Sequence, residues 1–314
     1  MVGAMFGVIF GSLAPVFLTM AVGVLLRRLR FLPEGFFGGL NQLAFWVCLP
    51  CMLFSEVARC RIAGGAVLNV IGILALAIIP TILIAWSLTR ALRVAPASRS
   101  VFIQGSFRGN LAYVGIPVIS YALAKNPDAA GMAALVMAPL TTLYNIGGVL
   151  LLTKRDASHS AGQRWRATAA SLASNPLIVS CLLGLIAFAF RLTLPMPIGK
   201  TVDMLGKAGL PTALLALGAS LSFERVKGHF GLATVVALIR VAGGPLIGLG
   251  LCAAIGLTGE MRLIALLFLS CPVAVASYVM ADQMGADREL AGAIVVLSTL
   301  YAFPAMAAVL LLMQ

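Results

Sequence analysis

The chain has 314 residues, of which 61% are hydrophobic and only 10% charged, with a formal net charge of +12. Its mean hydropathy of +1.06 lies far outside the range of soluble domains and identifies an integral membrane protein. The basic excess sits in short gaps between apolar runs, where it sets membrane orientation, so nucleic-acid binding is excluded.

A helix needs about 20 apolar residues to cross the hydrocarbon core. Charge clusters and glycine or proline breaks cut the chain into ten such segments: 5–26, 37–55, 66–88, 100–123, 131–153, 174–190, 199–221, 230–256, 261–281 and 289–312. The first is too long for a signal-peptide core, and its positive charges follow it, so it is read as a membrane span. The predicted fold class is therefore an all-α polytopic membrane protein.

The ten segments carry an internal echo. Pro15 and Pro176 lie 161 residues apart (176 − 15), as do Leu49-Pro50 and Leu210-Pro211 (211 − 50). Pro117 and Pro272 are 155 apart (272 − 117), and TTLY at 141–144 returns as STLY at 298–301, an offset of 157. Four matches in one order predict a duplication, 1–153 and 154–314, of five helices each. Five is odd, so the second copy enters the membrane from the opposite side and the repeat is inverted.

Thirteen basic residues fall on the side reached after the first helix, against six on the other side and three within spans (Arg108, Lys207, Arg240), which accounts for all 22. The positive-inside rule then places the loop from Lys154 to Ala173 in the cytoplasm and both termini outside, on the periplasmic face of the inner membrane.

The fourth segment contains FRGNLAYVGIPVISYAL, where Gly109, Gly115 and Pro117 disfavour a continuous helix. The ninth has a matching interruption, LSCPVAVASYV, around Pro272. Broken backbone in a bilayer is tolerated only where protein or a watery cavity satisfies it. Two breaks at corresponding places predict helices 4 and 9 crossing near the midplane, with half-helix ends directed at one site at Pro117 and Pro272. Simple kinking of packed helices is the competing reading.

GNLAYVGIPVI in the fourth segment, GLPTALLALGASL in the seventh, LNQLAFWVCLPCMLF in the second and CPVAVASYVMADQMGADRELAGAIVVLSTLYAFP across the last two resemble the auxin efflux carrier family, over essentially the whole chain. The resemblance implies a fold similar to that of bile acid sodium symporters. It also implies a scaffold of helices 1, 2, 6 and 7, a mobile transport domain of helices 3–5 and 8–10, and elevator-type transport of a small organic anion; bacterial members are associated with carboxylates such as malate and malonate. Asn110, with Gly115, Ile116 and Pro117, matches the first crossover, and Cys271, Pro272 and Val273 match the second. Asn41 matches a scaffold asparagine and Tyr144 a substrate-side tyrosine. The aspartate and lysine that the plant carriers have in the third span are missing here, since Val67 to Leu88 contains no charge.

Arg108 lies inside the fourth segment and is expected to pair, to snorkel, or to attract the anion directly. Lys207 is expected to snorkel, and Arg240 to be structural. The bland reading of Asn110 and Asn41 is a helix–helix hydrogen bond. All ten acids map to loops or span ends, which favours uniport or weak proton coupling, although sodium held by backbone carbonyls stays open.

The six cysteines lack zinc or disulfide spacings and read as packing residues, and His159 and His229 as solvated. No nucleophile–base pair, metal cluster or phosphate loop stands out, so neither an enzyme nor a cofactor is expected. The leading function is a secondary transporter for a carboxylate, with the lipid bilayer as surroundings and a homodimer left open. Its rivals are an anion channel or passive pore and a sodium-coupled organic anion symporter.

Overall fold

The structure is a computed structural model that describes residues 2–30, 32–33, 35–60, 64–152 and 174–313. The loop from Lys154 to Ala173, His159 and the two terminal residues lie outside the described residues. The described residues form helices and no strand. In chain order these are α1 (Val2–Arg28), α2 (Phe36–Leu43) running through a π turn (Ala44–Cys48) into α3 (Leu49–Arg59), α4 (Gly65–Ala91), α5 (Pro96–Phe107), a π turn (Leu111–Gly115) leading into α6 (Ile116–Ala122), and α7 (Ala129–Leu152). After them come α8 (Pro176–Ala189), α9 (Met196–Lys207), α10 (Gly209–Ser220), α11 (Phe230–Leu238) running through a π turn (Ile239–Gly243) into α12 (Gly244–Ile255), α13 (Gly259–Leu269), α14 (Val275–Gln283) and α15 (Arg288–Leu312).

Among the described residues six stretches are long and apolar enough to cross a membrane: Ile9–Arg28, Phe36–Arg59, Gly65–Ala91, Ala129–Gly148, Phe230–Ile255 and Arg288–Leu312. They coincide with the first, second, third, fifth, eighth and tenth expected segments. The fourth, seventh and ninth are each divided between two helices, and the sixth is the short α8.

Proline explains helix starts here better than helix breaks. Prolines stand in the first turn of α5, α8 and α9, where the missing N–H costs nothing, and Pro50, Pro117 and Pro245 each stand just after a π turn that leads into α3, α6 and α12. Helices α1, α4, α7 and α15 run uninterrupted through Pro15, Pro80, Pro139 and Pro304. Side chains begin two helices: Asn175 Oδ1 accepts from Leu177 N at 3.0 Å, and Asp287 Oδ1 from Leu290 N at 3.0 Å. Gly256, with φ of 69°, ends α12 in a left-handed conformation.

The described helices pack into two units. The first comprises Met1–Val67, Ala112–Pro139 and Ser171–Ser220. In it α1 lies along α10, with α6 also against α1, and α3 lies along α8 and α9. Small residues permit the approach, because a Cβ on Gly218 would strike the Met20 carbonyl and one on Gly23 the Leu215 carbonyl. Arg27 Nη1 donates to Ala219 O at 2.5 Å. An Arg59–Asp203 ion pair, with Ser55 Oγ donating to Asp203 at 3.0 Å, joins α3 to α9.

The second unit comprises Leu68–Leu111, Leu140–Ala170 and Leu221–Gln314. Its centre is α15, which packs against α5, α11, α13 and α14 and buries an unbroken run from Leu290 to Thr299. Hydroxyls within it return to their own helices, as when Thr299 donates to Val295 O at 2.7 Å and Ser270 to Leu266 O at 2.7 Å.

Candidate functional site

Helix α5 stops at Phe107 and α13 at Leu269, and the extended residues that follow each of them meet within the second unit. Gly109 and Val273 form an isolated antiparallel bridge. Asn110 N donates to Pro272 O at 2.7 Å, and Ala274 N to Arg108 O at 3.2 Å. Val273 N is satisfied by Ser298 Oγ of α15 at 3.0 Å. Two helix breaks thus supply one another's hydrogen bonds, which is what a backbone removed from water requires.

The carbonyls that end the two helices are taken by one side chain. Arg240, on the π turn before α12 and 2% exposed, donates from Nη1 to Phe107 O at 3.0 Å. Its Nη2 donates to Phe268 O at 2.7 Å and its Nε to Cys271 O at 3.0 Å. Gly109 runs flush against this guanidinium, since a Cβ there would overlap Nη2.

Arg108 is 6% exposed and turns to other partners. Its Nη2 donates to Asn145 Oδ1 at 2.7 Å, and its Nη1 contacts the Met280 thioether, a weak acceptor. Gln104, one turn earlier, is fully buried and its Oε1 has no partner. Gly148 leaves room for this group, because a Cβ there would come within 2.6 Å of Gln104 Nε2 and 3.1 Å of Arg108 Nη1. Tyr144 is buried with its ring centroid 5.9 Å from that of Phe107. Among the described residues no ion pair involves Arg108 or Arg240. The arrangement is therefore cationic, with the Arg240 donors taken by main-chain carbonyls and Arg108 held by an amide oxygen and a thioether.

A family model described as "Membrane transport protein" matches residues 8–310. The chain belongs to the membrane transport protein family. Its relatives include the auxin efflux carriers, so the resemblance carried by the motifs holds. This membrane transport protein is 24% identical to "Putative malonate transporter" of Rhizobium meliloti, over 93% of this chain and 92% of that one. It is 25% identical to "Uncharacterized transporter" of Methanothermobacter thermautotrophicus, over 91% and 92%. It is 27% identical to "Probable auxin efflux carrier component 3b" of Oryza sativa over 42% of this chain, a match that spans 24% of the plant protein. With several long apolar helices, it is a multi-pass membrane protein.

Of the residues expected at the site, Arg108, Asn110, Tyr144, Cys271, Pro272 and Val273 lie in the second unit of this transport protein, and all but Tyr144 lie on the paired segments. Asn41, Gly115, Ile116 and Pro117 belong to the first unit. There Asn41 Oδ1 accepts from Tyr113 at 2.9 Å, while Gly115, Ile116 and Pro117 are buried at the start of α6, which packs on α1.

One expectation needs correction. The break in the fourth segment falls at Arg108–Asn110 and not at Pro117, which sits in the first turn of α6, continuous with the preceding π turn. The cause is bonding: Pro272 and Ala274 complete the extended course at Arg108–Asn110, whereas the π turn before Pro117 absorbs the proline without a break. Of the alternatives for Arg108, pairing is the one seen, since it is buried against Asn145 and Met280. Lys207 is exposed at the end of α9. Sequence reasoning set Arg240 aside, did not single out Gln104 or Asn145, and met Ser298 only as the start of the repeated STLY. The available signal was an arginine inside the eighth segment with no acid nearby in the sequence.

Proposed function

We propose that this membrane transport protein is a secondary transporter that carries a small organic anion, a carboxylate, across the inner membrane by an elevator motion. In this reading ten crossings are arranged as two inverted five-helix repeats, with helices 4 and 9 crossing. Helices 1, 2, 6 and 7 serve as scaffold and helices 3–5 and 8–10 as the moving part, and both termini face the periplasm.

The observation that carries the reading is the paired break beside a buried guanidinium, Arg108, whose partners are an amide oxygen and a thioether. A buried cation without a carboxylate is expensive in a bilayer protein and marks a place where an anion is welcome. The crossover and the side chains bonded to it all belong to one compact unit, as a carrier that moves its site as a body requires. The relative named for malonate supports a dicarboxylate. Uniport or weak proton coupling fits a crossover without an ion-paired acid.

Uptake of labelled malonate and other carboxylates into proteoliposomes tests this, with and without sodium and pH gradients. Saturable uptake with counterflow supports a carrier, whereas non-saturating flux without counterflow would favour a channel. Cysteine labelling of residues 154–173 from the cytoplasmic side alone is the expected topology result.

A further inference from the structure

We infer that Arg240 is a positioning residue that keeps this crossover selective for anions, an inference that rests on the anion-transport reading. Two helices arrive at the crossover by their C-terminal ends, α5 at Phe107 and α13 at Leu269. Each such end carries roughly half a negative charge on its unpaired carbonyls. Bare, the pair would present roughly one negative charge beside the carboxylate site and repel the substrate.

Arg240 removes that obstacle. Its single positive charge meets the two half-charges, and its three donors meet carbonyls from both chain segments: Phe107 at 3.0 Å, Phe268 at 2.7 Å and Cys271 at 3.0 Å. A planar guanidinium can address acceptors on two helices at once, which the compact ammonium of lysine cannot do with the same geometry. Gly109 is fitted to it, because any side chain there would displace Nη2. With Arg240 matched in this way, the positive charge left over belongs to Arg108 and to the N-terminal end of α14, which begins at Val275. The sign of the site thus depends on a residue that need not touch the substrate.

The test reconstitutes Arg240→Lys, Arg240→Gln and Gly109→Ala alongside the wild-type chain. It measures melting temperature, Vmax, and the KM for malonate and for its monoamide, which carries one charge fewer. Arg240→Gln is expected to raise the malonate KM roughly tenfold and to shrink the preference for malonate over the monoamide, because the carbonyl ends regain their charge. Gly109→Ala, which pushes the guanidinium aside, should shift the preference in the same direction. Arg240→Lys should lower melting temperature and Vmax while keeping the preference, since the ammonium stays among the carbonyls with its charge but cannot bond all three, whereas Gly109→Ala moves the charge off them.

If all three variants lose stability and Vmax together with the preference unchanged, Arg240 is packing alone and the inference falls. Should the glutamine variant not fold, the contrast between Arg240→Lys and Gly109→Ala decides in the same way. Absence of any carboxylate uptake by the wild-type chain overturns the transport reading and this inference with it. Normal wild-type uptake with an unmoved preference overturns this inference only.

Discussion

The main-chain N–H of Asn110 donates to the carbonyl of Pro272 across 2.7 Å, so the interruption in one helix is completed by the interruption in another. The Asn110 side chain takes no part in that bond. Replacing Asn110 by alanine should therefore leave the main-chain bridge in place. If the amide contacts substrate, the KM for a transported carboxylate should rise roughly tenfold, the loss of one hydrogen bond to a charged group. Unchanged KM in the proteoliposome assay would remove Asn110 from the site.

Ser298 holds the same crossover from α15, accepting from Val273 N at 3.0 Å. Ser298→Ala leaves that buried N–H without a partner, at a cost of about 1–3 kcal/mol. Thermal unfolding in detergent should show this as a lowered melting temperature, and uptake should fall in parallel.

Pro117 stands in the first turn of α6 and interrupts nothing. Pro117→Ala should leave carboxylate KM close to that of the wild type, with a stability change small enough to need careful melting curves. A collapse of affinity in this variant would return the break to Pro117 and contradict the bonding at Arg108–Asn110.

In the first unit, Gly218 lets α10 touch the main chain of α1 at Met20. Gly218→Val should destabilise by about 1–3 kcal/mol through overpacking, because backbone cannot yield as a flexible side chain does. Gly11→Ala is the matched control, since a Cβ there meets nothing within 4 Å. Unfolding midpoints of the two variants check the contrast.

The Arg59–Asp203 pair makes the opposite case, because the Arg59 side chain is 67% exposed. A double-mutant cycle with Arg59→Gln and Asp203→Asn should return a coupling of about 0–1 kcal/mol, and it should shrink with added salt.

Much of this protein was legible before any coordinates. Membrane character follows from hydropathy, since a chain this apolar has no other solvent. Of the ten segments read from apolar length, six coincide with described helices long and apolar enough to cross a membrane, because a helix in lipid must satisfy its own backbone over that distance. The irregular fourth and ninth segments were visible as glycines and proline inside apolar runs, and the buried cation at Arg108 as a charge where none is cheap.

Tertiary structure decided where the breaks fall and what holds them. A proline permits either a helix start or a break, and only its neighbours choose: Pro15, Pro80, Pro139 and Pro304 are absorbed into helices, while Pro272 gives its carbonyl to Asn110. Ser298 and Arg240 could not be assigned to the crossover from sequence, because their partners Val273, Phe107, Phe268 and Cys271 are distant in the chain or belong to backbone common to every residue. Hydropathy depends on local composition and is carried by the sequence itself. The pairing of two extended segments around a guanidinium depends on which carbonyls lack a partner after the helices have packed, and that is settled only in three dimensions.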